Sequence, residues 1–164
     1  LKEIYREKST VGGGNLTIAY SVLAVIIFSF LYDGYNLVQS GHFTLLTMGL
    51  NIVWLCMWVW MVQFKYEYIL REKEFECVTY FLGLERHYVV DLTQTESFSS
   101  KYERKFFRKT RIGEYIHRYS MVDPNPRRIL TFHKGKGLAA VLFCGSDRMI
   151  RELRQLLPDK YLGF

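Results

Sequence analysis

Two apolar runs lie back to back near the start of the chain, Leu16–Tyr32 and Phe43–Phe64. Asp33 is the only Asp, Glu, Lys or Arg between Lys8 and Lys65. A bilayer core about 30 Å thick takes roughly 20 mostly apolar residues to cross as a helix. The second run has that length, and the first reaches it by including Asn15 or by running into Gly34–Val38. The pattern predicts a transmembrane helical hairpin over residues 15–64, with Asp33–His42 as the connecting loop. The first run exceeds the apolar core of a cleaved signal peptide, about 7–15 residues, and no small-residue cleavage site follows it. It is therefore expected to be retained. Gly12-Gly13-Gly14 reads as a flexible link from a short amphipathic lead (Ile4, Tyr5), with Asn15 as helix cap.

Beyond Phe64 the hydrophobic period shortens. Tyr66, Tyr68 and Leu70 alternate with charged positions, and Phe75–Tyr80 is rich in strand-forming types, with Glu72–Glu74 as the turn between them. Further strands are predicted over Arg86–Leu92, Gly113–Met121, Arg127–Lys134 and Leu138–Phe143, with a weaker one at Thr95–Ser99. Asp123-Pro124-Asn125-Pro126 and Gly135-Lys136-Gly137 are turn signals. The period then becomes helical: Met149, Ile150, Leu153, Leu156 and Leu157 share a face, Ser146 is placed to cap the helix, and Pro158 ends it. The expected fold is an α+β membrane protein: a cytoplasmic lead (1–14), a transmembrane hairpin (15–64), and a PH-like antiparallel β-barrel with a C-terminal capping helix (65–164).

Charge adds orientation. The loop Asp33–His42 has no Lys or Arg, whereas Lys2, Arg6 and Lys8 precede the hairpin and Lys65, Arg71 and Lys73 follow it. Basic flanks favour the cytoplasmic side, so both termini are expected there. The net charge of +6 is uneven: residues 65–98 carry four Lys/Arg against seven Asp/Glu, residues 101–164 fifteen against six. Such a basic surface beside a membrane suits anionic lipid or an acidic partner. Cys56, Cys77 and Cys144 are odd in number and widely spaced, which indicates no disulfide framework and suits a reducing compartment.

Several motifs carry a resemblance: Tyr66-Glu67-Tyr68-Ile69-Leu70 leading into Glu74-Phe75-Glu76, then Val90-Asp91-Leu92, then Leu142-Phe143 before a capped helix that ends in Leu157-Pro158. With the charged lead and the hairpin, the chain resembles, over nearly its full length, a group of small, uncharacterised two-span proteins of clostridia-type bacteria with a PH-like domain after the hairpin. It departs from their pattern at Cys144-Gly145, where proline or an acidic residue is usual. The resemblance implies a bacterial inner-membrane location, no enzymatic activity and no established ligand.

The densest candidate site is Lys101–Arg111, where Lys101, Arg104, Lys105, Arg108, Lys109 and Arg111 surround Phe106 and Phe107. Basic residues near an anionic surface contribute about 1 kcal/mol each, and Phe106-Phe107 are suited to insert at the interface. The plain alternative is a solvated loop whose aromatics cover the barrel; nucleic-acid binding is disfavoured by membrane tethering. Arg127-Arg128 with Lys134-Lys136 reads as charge guarding an edge strand. In the second span, the Asn51 amide predicts an inter-helical bond, to Ser21, Ser29 or another subunit. Trp54 and Trp58 are expected to pack on the first helix or a partner, and Trp60 to sit at the head-group level. His42, His87, His117 and His133 are scattered, with no metal-ligand spacing and no catalytic motif, so no metal, cofactor or enzymatic role is expected. The expected function is a membrane-anchored accessory or scaffold protein that engages a membrane-protein partner or a second copy. The alternative is a sensor of anionic lipids acting through Lys101–Arg111.

Overall fold

The computed structural model describes residues 2–42, 44–107 and 111–163, apart from the Phe106 side chain. Its first element is not a free lead. Residues Glu3–Lys8 form strand β1, which pairs antiparallel with β2 (Lys65–Arg71) on the far side of the hairpin, in the register Arg6↔Ile69 and Lys8↔Glu67. Two further bonds close the junction: Ser9 N donates to Tyr66 O at 2.7 Å, and Tyr66 N to Ser9 Oγ at 3.0 Å. The hairpin is thus an insertion between neighbouring strands, and both of its ends leave the soluble domain at one place.

Helix α1 runs from Gly13 to Ser40 and α2 from Leu45 to Gln63. At 1.5 Å per residue they are about 42 and 28 Å long, and both are apolar enough to cross a membrane. In their most apolar stretches only 11% and 6% of residues are buried, so these are not core helices of a globular domain. α1 starts before Asn15: Gly12 is the cap, and Asn15 instead donates its side-chain amide to Val122 O at 3.4 Å. It also continues through the expected loop as far as Gly41, which takes the left-handed conformation (φ 63°) that glycine tolerates at a helix end. Asp33 therefore lies within the helix, not in the connection, and it is partnered there. Asn51 Nδ2 donates to Asp33 Oδ2 at 2.9 Å, and Ser29 Oγ donates to Asn51 Oδ1 at 2.9 Å.

The soluble domain has two sheets. The first has the order β1-β2-β3-β4, with β3 Glu74–Phe81 and β4 Leu84–Asp91, all antiparallel. The second has the order β6-β8-β7-β5-β9, from β5 Thr95–Ser99, β6 Ile112–His117, β7 Arg128–Lys134, β8 Gly137–Phe143 and β9 Tyr161–Leu162. The expected all-antiparallel barrel is corrected on two counts: the sheets stay open, and β6–β8 and β5–β9 pair in parallel. The first parallel pair has a simple cause. β5 already occupies one edge of the β7–β8 hairpin, so β6 meets the other edge, on β8, and runs the same way.

Tyr68, Leu70, Phe75 and Cys77 of the first sheet and Leu130, Phe132, Val141 and Phe143 of the second share one buried apolar core. Helix α4 (Asp147–Leu156) adds Met149, Ile150 and Leu153 to it. Ser146 caps α4 as expected, accepting from Met149 N at 3.3 Å. Arg127-Arg128 is not edge charge, because β7 is an interior strand. Arg128 is buried and donates to Gly145 O at 3.0 Å, to Ser100 O, and to Asp147 Oδ1 at 2.6 Å. Burial pushes the Tyr68 hydroxyl well up and the Cys144 thiol to about 12, so both stay protonated within the core at neutral pH.

β1 also fastens α4. The Glu7 carboxylate accepts from Ser146 N at 2.7 Å, from Ser146 Oγ at 2.5 Å and from Tyr5 OH at 3.1 Å. Hydrogen bonds to a charged acceptor contribute about 1.5–3 kcal/mol. Glu7→Ala is expected to lower the melting temperature of the detergent-solubilised protein by an amount matching a loss of that order; an unchanged melting curve would show that the clasp carries no stability.

Candidate functional site at the mouth between the sheets

The strand register places Tyr66, Thr79 and Arg86 side by side across β2, β3 and β4, at the end of the first sheet next to the hairpin. Opposite them, the chain leaving β6 is pinned by two hydrogen bonds. Arg118 N donates to Leu142 O at 2.8 Å, and Tyr68 OH donates to Arg118 O at 2.8 Å. The foot of α2 closes the third side with Trp60, Met61 and Phe64, and Phe64 stacks on Phe81 with ring centres 4.3 Å apart. Between these walls lies a cavity of about 500 Å³.

Its lining is amphipathic and carries one sign of charge. Arg86, Arg118 and His117 line it with aromatic and thioether groups, and among the described residues no carboxylate does. Neither guanidinium forms an ion pair among the described residues. Arg118 lies over the Tyr88 ring, 5.3 Å from its centre, and donates from Nη1 to His117 O at 3.2 Å. Burial pushes the Tyr66 hydroxyl up, while the Arg118 charge pulls it back down. A second, almost wholly apolar cavity of about 270 Å³ runs along the hairpin between α1 and α2; Met61 and Met121 line both. Chemically the mouth suits an anion with an apolar body. Among the described residues no three His, Cys, Asp or Glu side chains group to hold a metal.

The predicted basic segment takes a different form. Tyr102 N bonds Arg127 O at 2.9 Å, and residues Arg104–Phe107 form a short helix, α3. Phe107 is buried at 1% exposure against Ile129, Ala140 and Leu142, on the outer face of the second sheet. The expected insertion of Phe107 into the interface is therefore corrected: the sheet's second apolar face claims the ring. Lys101, Arg104, Lys105 and Arg111 remain exposed, with Lys101 3.7 Å from Glu103. Arg108, Lys109 and the Phe106 side chain lie outside the described residues.

Of the intramembrane candidates, Asn51 is buried and used within the hairpin, between Ser29 and Asp33. Trp58 packs on α1, donating from Nε1 to Ala19 O at 2.7 Å and lying 6.2 Å from the Tyr20 ring. Trp54 is half exposed and lines the apolar cavity. Sequence reasoning missed Arg86 and Arg118 as a pair. They are far apart along the chain, and only the register of β3–β4 and the turn after β6 bring them to one cavity. No protein-family model, curated protein or solved structure matches the chain.

Two substitutions test these placements. Phe107→Ala is expected to cost about 3–5 kcal/mol of stability, as for a buried ring; loss of membrane binding with unchanged stability would contradict its burial. Asn51→Leu is expected to weaken the hairpin by about 1 kcal/mol, read as earlier unfolding in a denaturing-detergent titration, because Ser29 and Asp33 lose their shared partner.

Proposed function

We propose that the protein is a non-enzymatic, membrane-anchored accessory or scaffold protein. It holds a two-sheet domain, PH-like in the loose sense of packed sheets closed by a helix, at the cytoplasmic face of a bacterial inner membrane and presents it to a protein partner. The observation that carries this reading is the insertion of the hairpin between hydrogen-bonded strands β1 and β2. A domain on a flexible linker samples many poses; one whose two junctions with the hairpin are held side by side by strand pairing has fewer poses open to it, which suits a scaffold. Among the described strands the outer edge of β4 is unpaired, and it exposes Leu84 and Val89, which suits strand addition by a partner. The cytoplasmic assignment rests on Lys2, Arg6, Lys8 and Lys65 around the hairpin's feet and an uncharged connection at its far end.

The second reading is anionic-lipid sensing through Lys101–Arg111. It is favoured by the exposure of Lys101, Arg104, Lys105 and Arg111 and weakened by the burial of Phe107. Purification in mild detergent separates the two. A stoichiometric companion chain is expected; a monomer that prefers anionic vesicles, and loses the preference when these bases become Ala, would support the second reading instead. A reporter fused after Phe164 is expected to be active only on the cytoplasmic side, and activity outside would overturn the orientation.

A further inference from the structure

We propose that the mouth between the sheets, together with the apolar groove along the hairpin, is a binding site for one anionic phospholipid. Three observations converge. The mouth is walled on one side by the last turn of a membrane-length helix, with Trp60, a residue type that seats at the head-group level, on its rim. It carries two guanidiniums and, among the described residues, no carboxylate in the lining, so an anion is the complementary charge, and the planar fork of arginine matches phosphate oxygens. The groove continues from it past Met61 and Met121 towards Val22 and Trp54, with an almost wholly apolar lining. A free phosphate would use only the mouth, and a plain hydrocarbon only the groove. A phospholipid uses both, with its phosphate on Arg86 and Arg118 and one acyl chain lying along α1 and α2.

This site is distinct from the exposed bases Lys101, Arg104, Lys105 and Arg111, and it does not depend on the presence of a protein partner. The phosphate is held where the domain meets the hairpin, so the lipid would act as a third tie between them.

The test uses the full-length protein purified in a non-ionic detergent and native mass spectrometry, with phosphatidylglycerol, phosphatidylcholine and inorganic phosphate as probes. One phosphatidylglycerol per chain is expected to be retained, in preference to phosphatidylcholine and undisturbed by millimolar phosphate. The double variant Arg86→Gln/Arg118→Gln is expected to weaken retention by about a hundredfold or more, since each charge-assisted hydrogen bond lost lowers affinity by about tenfold or more. Arg86→Gln alone, at an exposed position of β4, keeps the test decisive if the double variant does not fold, with a loss of the same sense. The control Lys101→Gln/Arg104→Gln/Lys105→Gln is expected to retain the lipid. Equal retention of both lipids, displacement by inorganic phosphate, no retained lipid, or equal loss in the control would each overturn the proposal.

Discussion

The pairing of β1 with β2 is the constraint on which the rest of the structure depends. Residues on either side of a 51-residue helical insertion, Gly13–Gln63, must return to within hydrogen-bonding distance, Ser9 against Tyr66. That requirement sets the hairpin's two feet side by side and completes the first sheet at its β1 edge. It also delivers Glu7 to the cap of α4, where Ser146 donates both its amide and its hydroxyl to the carboxylate. Anchor, sheet and closing helix therefore meet through one short strand of six residues.

Much of this was legible in the sequence, because much of it is local. The two apolar runs, the alternation of Tyr66, Tyr68 and Leu70, the glycine turn before β8 and the Ser146 cap all act over a few residues, and an element formed at each, although α1 extends beyond its apolar run at both ends. What escaped is non-local. Glu3–Lys8 looks like a charged tail because Arg6 and Lys8 point away from the core, and its strand character comes from a partner across the hairpin. Asp33 looks like a loop residue because a carboxylate in an apolar helix is costly until a partner is supplied, and the partner is Asn51 on the other helix. Barrel closure was expected from the run of strands and the amphipathic helix after it, but closure is decided by register and edge pairing, which the string of elements does not contain.

The candidate site shows the same division. A run of bases in sequence drew attention to Lys101–Arg111, yet Phe107 ties that segment to the outer face of the second sheet. Arg86 and Arg118 are each unremarkable in sequence and become a pair only once β4 and the turn after β6 face the foot of α2. The charge that matters for a cavity is the charge left without a carboxylate, and counting Lys and Arg along the chain does not find it. Arg71, Arg128 and Lys134, all basic, are paired with Glu76, Asp147 and Glu114.

The position of β1 has a consequence for how the molecule is made. β1 is synthesised before its partner strand β2, which follows both apolar helices, so β1 lacks that partner until both helices have been made. In the proposed membrane-anchored form, failure of one helix to cross leaves Glu3–Lys8 and Lys65–Arg71 on opposite sides of the bilayer. The sheet then lacks its edge, and Ser146 lacks the Glu7 carboxylate. In that form, correct topology is a precondition for a finished domain, because a mis-inserted chain keeps an open strand edge and a loosened helix cap.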